Sequence, residues 1–310
     1  MERSQGPRRF VPWARQGRMY ENHVPRIGGA ALAGGWARLG GGVGMTVAIV
    51  GVGRLGEALL TGLLRSGVEP REIVVAEKDP ARAAAVSDEH GVAGAAPKEA
   101  VAGADVVVVA VKPHDTAALL ADIGGVLEAG TLVVSLAAGI TLTALQDALP
   151  AGTPVVRVMT NTPLLVGEAM SALCAGRHAG DEHLDRTEAL LGAVGRVVRV
   201  PETQLDAITA LSGSGPAYFF YLLDAMVEAG VLLGLPRPLA AELMVQTALG
   251  SARMLRETGE HPALLREAVT SPAGTTAAAL LELDRRAVRA AILDALTAAR
   301  DRSAELGRSS

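Results

Sequence analysis

Six consecutive residues, Gly51-Val52-Gly53-Arg54-Leu55-Gly56, limit the fold of this chain more than any others. They directly follow an apolar run over 46–50 that reads as a strand. They open the amphipathic stretch 55–66 that reads as a helix. In such a setting the first glycine permits a tight turn. The second lets a pyrophosphate approach the backbone, and the third lets helix and strand pack closely. A helix starting there also offers N–H groups with no partner inside the helix, which suit phosphate. The glycine spacing alone is common. A strand before it and a helix after it make it the fingerprint of a dinucleotide-binding crossover.

The same alternation continues along the chain. Strands are expected at 72–76, 105–111, 131–136 and 155–159, with short runs at 171–174 and 196–200. Helices are expected at 80–89, 114–127 and 142–149. Nearly continuous β-branched strands separated by helices imply a mostly parallel sheet covered on both faces. After Pro201 the strand pattern stops. Helical patterns follow at 202–211, 216–233, 238–257, 263–268, 275–283 and 286–306. The fold class is therefore α/β, with a Rossmann-type dinucleotide-binding domain over 45–203 and an all-α domain over 204–310. The second and third helices of that domain are apolar nearly all round, and so small a domain cannot hide both alone. A homodimer, or a larger homo-oligomer built through these helices, is the expectation.

Composition agrees and excludes several functions. Eight residues are aromatic. Four lie in the first 44 residues, and Tyr218, Phe219, Phe220 and Tyr221 form one cluster. No aromatic stands between, so that core is built from Ala, Val, Leu and Ile. An RNA-binding sheet with stacking aromatics does not fit. The net charge of −4 supplies no basic field for nucleic acid. Lys78, Lys98 and Lys112 are the three lysines, and none follows residue 112. One cysteine, Cys174, rules out an internal disulfide and a cysteine-rich metal site. The six histidines show no metal-ligand spacing, so no metal is expected. The stretch 217–235 is long enough to span a bilayer, but Asp224 and Glu228 would each cost about 3 kcal/mol inside it. Residues 1–44 have ten glycines, seven arginines and no sustained apolar period. They read as a disordered extension ahead of a working domain that starts at Met45. Without an apolar signal segment or a spanning helix, a cytoplasmic location is expected.

Further candidate residues cluster at strand ends. Glu77 lies 21 residues past Gly56, where an acid bonds the ribose hydroxyls of NAD. Its charge repels the 2′-phosphate of NADP, and Lys78 offsets that repulsion, so both cofactors remain open. Ala110-Val111-Lys112-Pro113 ends the valine-rich strand at the edge where ligands bind. Ala137-Ala138-Gly139 ends the next strand with side chains small enough for a nicotinamide ring to lie near the backbone. Asn161, within Met159-Thr160-Asn161-Thr162-Pro163, lies on the same edge. Two polar loops, Ser212-Gly213-Ser214-Gly215-Pro216 and Thr270-Ser271-Pro272-Ala273-Gly274-Thr275-Thr276, precede helices. Each offers N–H groups and hydroxyls suited to a small carboxylate, or serves as an ordinary cap.

Taken in order, these elements closely resemble the pyrroline-5-carboxylate reductase family over about residues 45–305. The Ser-Gly-Ser-Gly-Pro-Ala and Ser-Pro-x-Gly-x-Thr elements are the most distinctive. The resemblance implies reduction of the imine Δ1-pyrroline-5-carboxylate to L-proline by NADPH or NADH, the last step of proline synthesis. It implies that Thr276 bonds the ring nitrogen as the catalytic contact. Ser271 and the N–H groups of Gly274 and Thr275 would hold the carboxylate. Gly51, Gly53, Arg54, Leu55, Gly56, Glu77, Lys78, Ala110 and Val111 would hold the cofactor. Lys112, Pro113, Ala137, Ala138, Gly139 and Asn161 would border its nicotinamide half. Three departures stand out: Ala273 occupies a place where the family usually has Gly, Thr160 one where many members have Pro, and Pro97 one where many members have Asn near the adenine ribose. A protonated imine is already electrophilic, so orientation matters more than a strong base. Two other readings compete. A β-hydroxyacid dehydrogenase shares the architecture but uses a lysine after the domain junction, which this chain lacks. A non-catalytic nucleotide sensor needs no second polar cradle.

Overall fold

The computed structural model describes residues 45–308, so the expected extension over 1–44 lies outside the described residues. Eight strands form one sheet: β1 (Val47–Val50), β2 (Ile73–Ala76), β3 (Ala93–Gly94), β4 (Val106–Val109), β5 (Leu132–Ser135), β6 (Val155–Met159), β7 (Ala169–Ala175) and β8 (Gly195–Arg199). Their order is β3-β2-β1-β4-β5-β6-β7-β8. The first six follow the order of a dinucleotide-binding sheet, with the switch between β1 and β4. All neighbours pair in parallel except β6 with β7. The helices around it are α1 (Arg54–Arg65), α2 (Pro80–His90), α3 (Pro97–Val101), α4 (Pro113–Ile123), α5 (Leu142–Asp147) and α6 (Asp181–Gly192). The short strand β3 and the short α3 were not expected. A two-residue strand carries no periodic signal.

Each central strand is buried on both sides, which explains its unbroken apolar sequence. Alternate residues divide between two layers. Ile49, Val106, Val108 and Val134 pack with Leu59, Leu60 and Leu63 of α1 and Leu190 and Leu191 of α6. Val50, Val107, Val109 and Val133 pack on the opposite side with Leu120 and Ile123 of α4 and Leu145 of α5.

Beyond the sheet the expected helix over 202–211 is broken. A 3-10 turn at Glu202–Gln204 leads to α7 (Leu205–Ile208) and then to a π-helical turn, Thr209–Gly213. Next come α8 (Gly215–Leu232), α9 (Arg237–Thr258), α10 (Pro262–Ala268), α11 (Thr275–Arg285) and α12 (Val288–Arg308). The described residues group into two compact units. One contains 45–217 together with 295–308, and the other Tyr218–Asp294. The sequence pattern changes near 203, but Leu205 and Ala210 are buried on the sheet side of the division. Residues 295–308 join the sheet unit as well, and Ser303 donates its hydroxyl to Asp206 Oδ1 at 2.8 Å.

The second unit has little core of its own. Val227 and Ala240 are its buried hydrophobic side chains, whereas Phe220, Tyr221, Leu232 and Leu233 are 66%, 77%, 88% and 85% exposed. The exposed members of the aromatic cluster therefore do not fill the interior of their own chain. Among the described residues no helix is long and apolar enough to cross a membrane.

Candidate active site

The aligned ends of β1, β2 and β4 build the nucleotide cradle. Val50 lies opposite both Ala76 and Val109 in register, so the segments that follow leave the sheet side by side. Gly51 N–H donates to Ala76 O at 2.8 Å, and Ala110 N–H to Val50 O at 2.8 Å. Gly51 has φ +95, and a Cβ there would lie 2.8 Å from the Ala110 carbonyl carbon. A Cβ on Gly56 would meet Gly51 O at 2.0 Å. One on Gly53 would meet nothing within 4 Å. Two of the glycines are thus required by the protein itself, and the third leaves open space at the start of α1. That is the arrangement a pyrophosphate needs, and the residues fit a dinucleotide.

A cleft of about 1150 Å³ runs from this turn. Gly51, Gly53, Glu77, Lys78, Ala110, Val111 and Lys112 all line it. Ala95 and Pro97, from the unexpected β3–α3 segment, line it too. Lys112 is exposed and immediately precedes α4, which Pro113 opens. Arg54 instead lines a separate cavity of about 560 Å³, while Leu55 is half-buried at the start of α1. The loop with Ala137, Ala138 and Gly139 follows β5, and Asn161 follows β6, so both lie on the carboxyl edge of the sheet.

Two side chains are committed in ways the sequence did not reveal. Glu77 accepts from Val52 N–H at 2.9 Å and from Lys78 N–H at 2.8 Å, one on each carboxylate oxygen. Its orientation is therefore fixed by the glycine turn, and each oxygen retains one further lone pair. Asn161 donates to Ser212 O at 3.0 Å and accepts from Met170 N–H at 3.0 Å. Its amide thus ties β7 to the π-helical turn. Both contacts of the amide are backbone groups, so the side chain is held in place from two sides.

The two polar loops differ. Ser212 donates back to Ile208 O at 3.2 Å, and Ser214 N–H donates to Thr209 O at 2.8 Å. The first loop is therefore a hydrogen-bonded π-helical turn rather than an open cradle. The second, before α11, is more open. Gly274 stands at the helix N-terminus with no side-chain cap. Its N–H closes a turn onto Ser271 O at 3.0 Å. Thr275 and Thr276 occupy the first turn, whose N–H groups have no partner within the helix. A Cβ on Gly274 would sit 2.3 Å from Ser271 Oγ, which places that hydroxyl against the helix start. Ala273 adopts φ +56, a left-handed conformation that favours glycine.

Two other places carry side chains of reactive types, Cys174 and the group of Glu57, Glu89 and His90. Burial first, and then the Glu202 charge, pushes the Cys174 thiol up to about 12, with Arg157 opposing. Glu57, Glu89 and His90 bring ligand atoms within 4.8 Å of one another, a grouping their sequence spacing did not announce. Arg82 pairs with Glu57 and already supplies positive charge there.

Comparison with known proteins accords with this geometry. A family model described as pyrroline-5-carboxylate reductase dimerisation matches residues 202–306. One described as NADP oxidoreductase coenzyme F420-dependent matches residues 46–139. The pyrroline-5-carboxylate reductase of Corynebacterium melassecola is 44% identical over 267 residues, covering 85% of this chain and 99% of that protein. That of Mycobacterium tuberculosis H37Rv is 46% identical over 283 residues, covering 84% and 96%. The solved structure of the Coxiella burnetii enzyme is 36% identical, with a TM-score of 0.81 over 85% of this chain and 99% of that one. The Plasmodium falciparum structure, solved with NADP bound, has a TM-score of 0.77 at 26% identity and covers 85% and 98%. The match of the helical half to a dimerisation model, together with its uncovered apolar surface, makes the protein a homo-oligomer. Such identity across nearly the full length of these relatives shows that the chain belongs to the pyrroline-5-carboxylate reductase family.

Proposed function

We propose that this enzyme reduces Δ1-pyrroline-5-carboxylate to L-proline with NADPH, as a cytoplasmic homodimer. The observation that carries the reading is the glycine turn of β1–α1. Two of its glycines are demanded by the protein and the third faces open space, within a chain of this family. Bound NADPH supplies a hydride for the imine carbon.

The chain's own residues bind and orient. Gly53 and the start of α1 take the pyrophosphate, while Glu77 and Lys78 border the adenosine ribose. Ala137, Ala138 and Gly139 border the nicotinamide. The Ser271 hydroxyl and the N–H groups of the first turn of α11 hold the substrate carboxylate, with favourable alignment to the helix dipole. Thr276 contacts the ring nitrogen. No strong base is needed, since the imine nitrogen is protonated before reduction.

The test is NADPH oxidation on addition of Δ1-pyrroline-5-carboxylate, with proline measured as product and NADH run in parallel. Stoichiometric proline is expected, with a higher kcat/KM for NADPH. Cofactor binding without turnover would instead support a sensor.

A further inference from the structure

The last turns of α12 lie against the loop that follows β5, and no established role accounts for this. Ser303 is 7% exposed and donates to Asp206 Oδ1 at 2.8 Å, which moors the helix to α7. Near the loop, Leu306 Cβ would be 3.7 Å from a Cβ placed on Gly139. A Cβ on Gly307 would lie 3.5 Å from Gly139 O and 3.8 Å from Thr141 Cγ2. Glycine therefore stands on both sides of this contact, and helix backbone approaches loop backbone. Gly139 itself has φ +78, so the loop turns sharply at the point of contact. Its two ends are held locally: Ala137 N–H donates to Ser135 Oγ at 3.3 Å, and Thr141 Oγ1 accepts from Ala144 N–H at 3.2 Å. The helix supports the middle.

We infer that the end of α12 is a positioning element for the loop after β5, with Asp206, Ser303 and Gly307 as positioning residues for hydride transfer. The inference rests on the proposed placement of Ala137, Ala138 and Gly139 beside the nicotinamide. The pyrophosphate and adenosine ends are held by other loops, those after β1 and β2. Disturbing α12 should therefore change how well the ring is aimed more than how tightly NADPH binds. Misplacement by about 1 Å costs on the order of a hundredfold in rate.

The experiment uses full-length variants. Each is assayed for kcat, for NADPH Kd by nucleotide fluorescence, and for oligomeric state by light scattering. Gly307→Leu should lower kcat about tenfold or more, with Kd changed less than about threefold and the oligomer intact. Asp206→Ala should lower kcat about threefold by releasing Ser303, and Asp206→Asn, which still accepts a hydrogen bond, should restore most of it. Ala138→Leu tests the loop itself. If it leaves kcat unchanged, the nicotinamide placement is wrong. If it lowers kcat while Gly307→Leu does not, the helix has no positioning role. A fall in kcat that merely tracks loss of the oligomer, or of NADPH binding, would equally overturn the inference.

Discussion

Gly53 and Gly56 lie three residues apart in one turn, yet a methyl group added to each should fail differently. Gly53→Ala meets no protein atom within 4 Å. It should leave Tm nearly unchanged while weakening NADPH about tenfold or more, because the methyl occupies the approach of the pyrophosphate. Gly56→Ala would press on Gly51 O. It should cost about 3 kcal/mol of stability, read by chemical denaturation. Ala273, at φ +56, offers the reverse case. Ala273→Gly should raise stability by about 1 kcal/mol by relieving a left-handed alanine. Cys174 gives a pH prediction. Its thiol is neutral up to about 12 when folded, against an ordinary value of 9.0. Native protein should resist thiol reagents at pH 8–9, and unfolded protein should react readily. The raised folded value means the stabilisation is full below about pH 9 and declines as pH climbs toward 12. At this scale the sequence was informative about residue types and silent about commitments. Spacing located Glu77 and a strand end located Asn161, but nothing in either showed that backbone donors and acceptors engage both.

At the level of elements, the strands were the most legible feature. A strand buried on both faces has no choice but an apolar run, and the four valines of β4 are all buried. Orientation was less legible. β7 runs antiparallel to β6, and its residues look no different for that. The turn over Thr209–Gly213 was hidden for another reason. A π-helical turn disturbs the 3.6-residue period only briefly, and such turns often mark functional positions. The start of α11 is where chemistry meets substrate in the proposed reaction. Thr276→Ala should lower kcat/KM for the imine about tenfold or more, with NADPH Kd nearly unchanged. Steady-state kinetics alongside nucleotide titration checks this, and unchanged kcat and KM would remove Thr276 from the site.

Across the whole molecule, the helical unit is intelligible only as half of something. With Phe220, Tyr221, Leu232 and Leu233 largely exposed, it has more apolar surface than an isolated chain tolerates. Leu232→Asp with Leu233→Asp should shift the enzyme toward monomer in light scattering and reduce turnover more than NADPH binding. A variant that stays dimeric would move the interface elsewhere. Apolar helices in a small domain announced this assembly from sequence alone, whereas the pattern change near 203 put the division earlier than the units do, at 217, and did not show the return of 295–308 to the sheet unit. Sequence order and spatial grouping part company at residues 295–308, whose helical period reads like that of their neighbours.

That grouping has a consequence in time. Ribosomes make residues 45–217 of the sheet unit first, then the helical unit, and only afterwards residues 295–308, which carry the proposed brace of the loop after β5. A nascent chain can thus assemble its nucleotide-binding strands early, while the proposed brace arrives with the later turns of α12. On the proposed bracing, competence for hydride transfer follows synthesis of the helical surface through which chains associate.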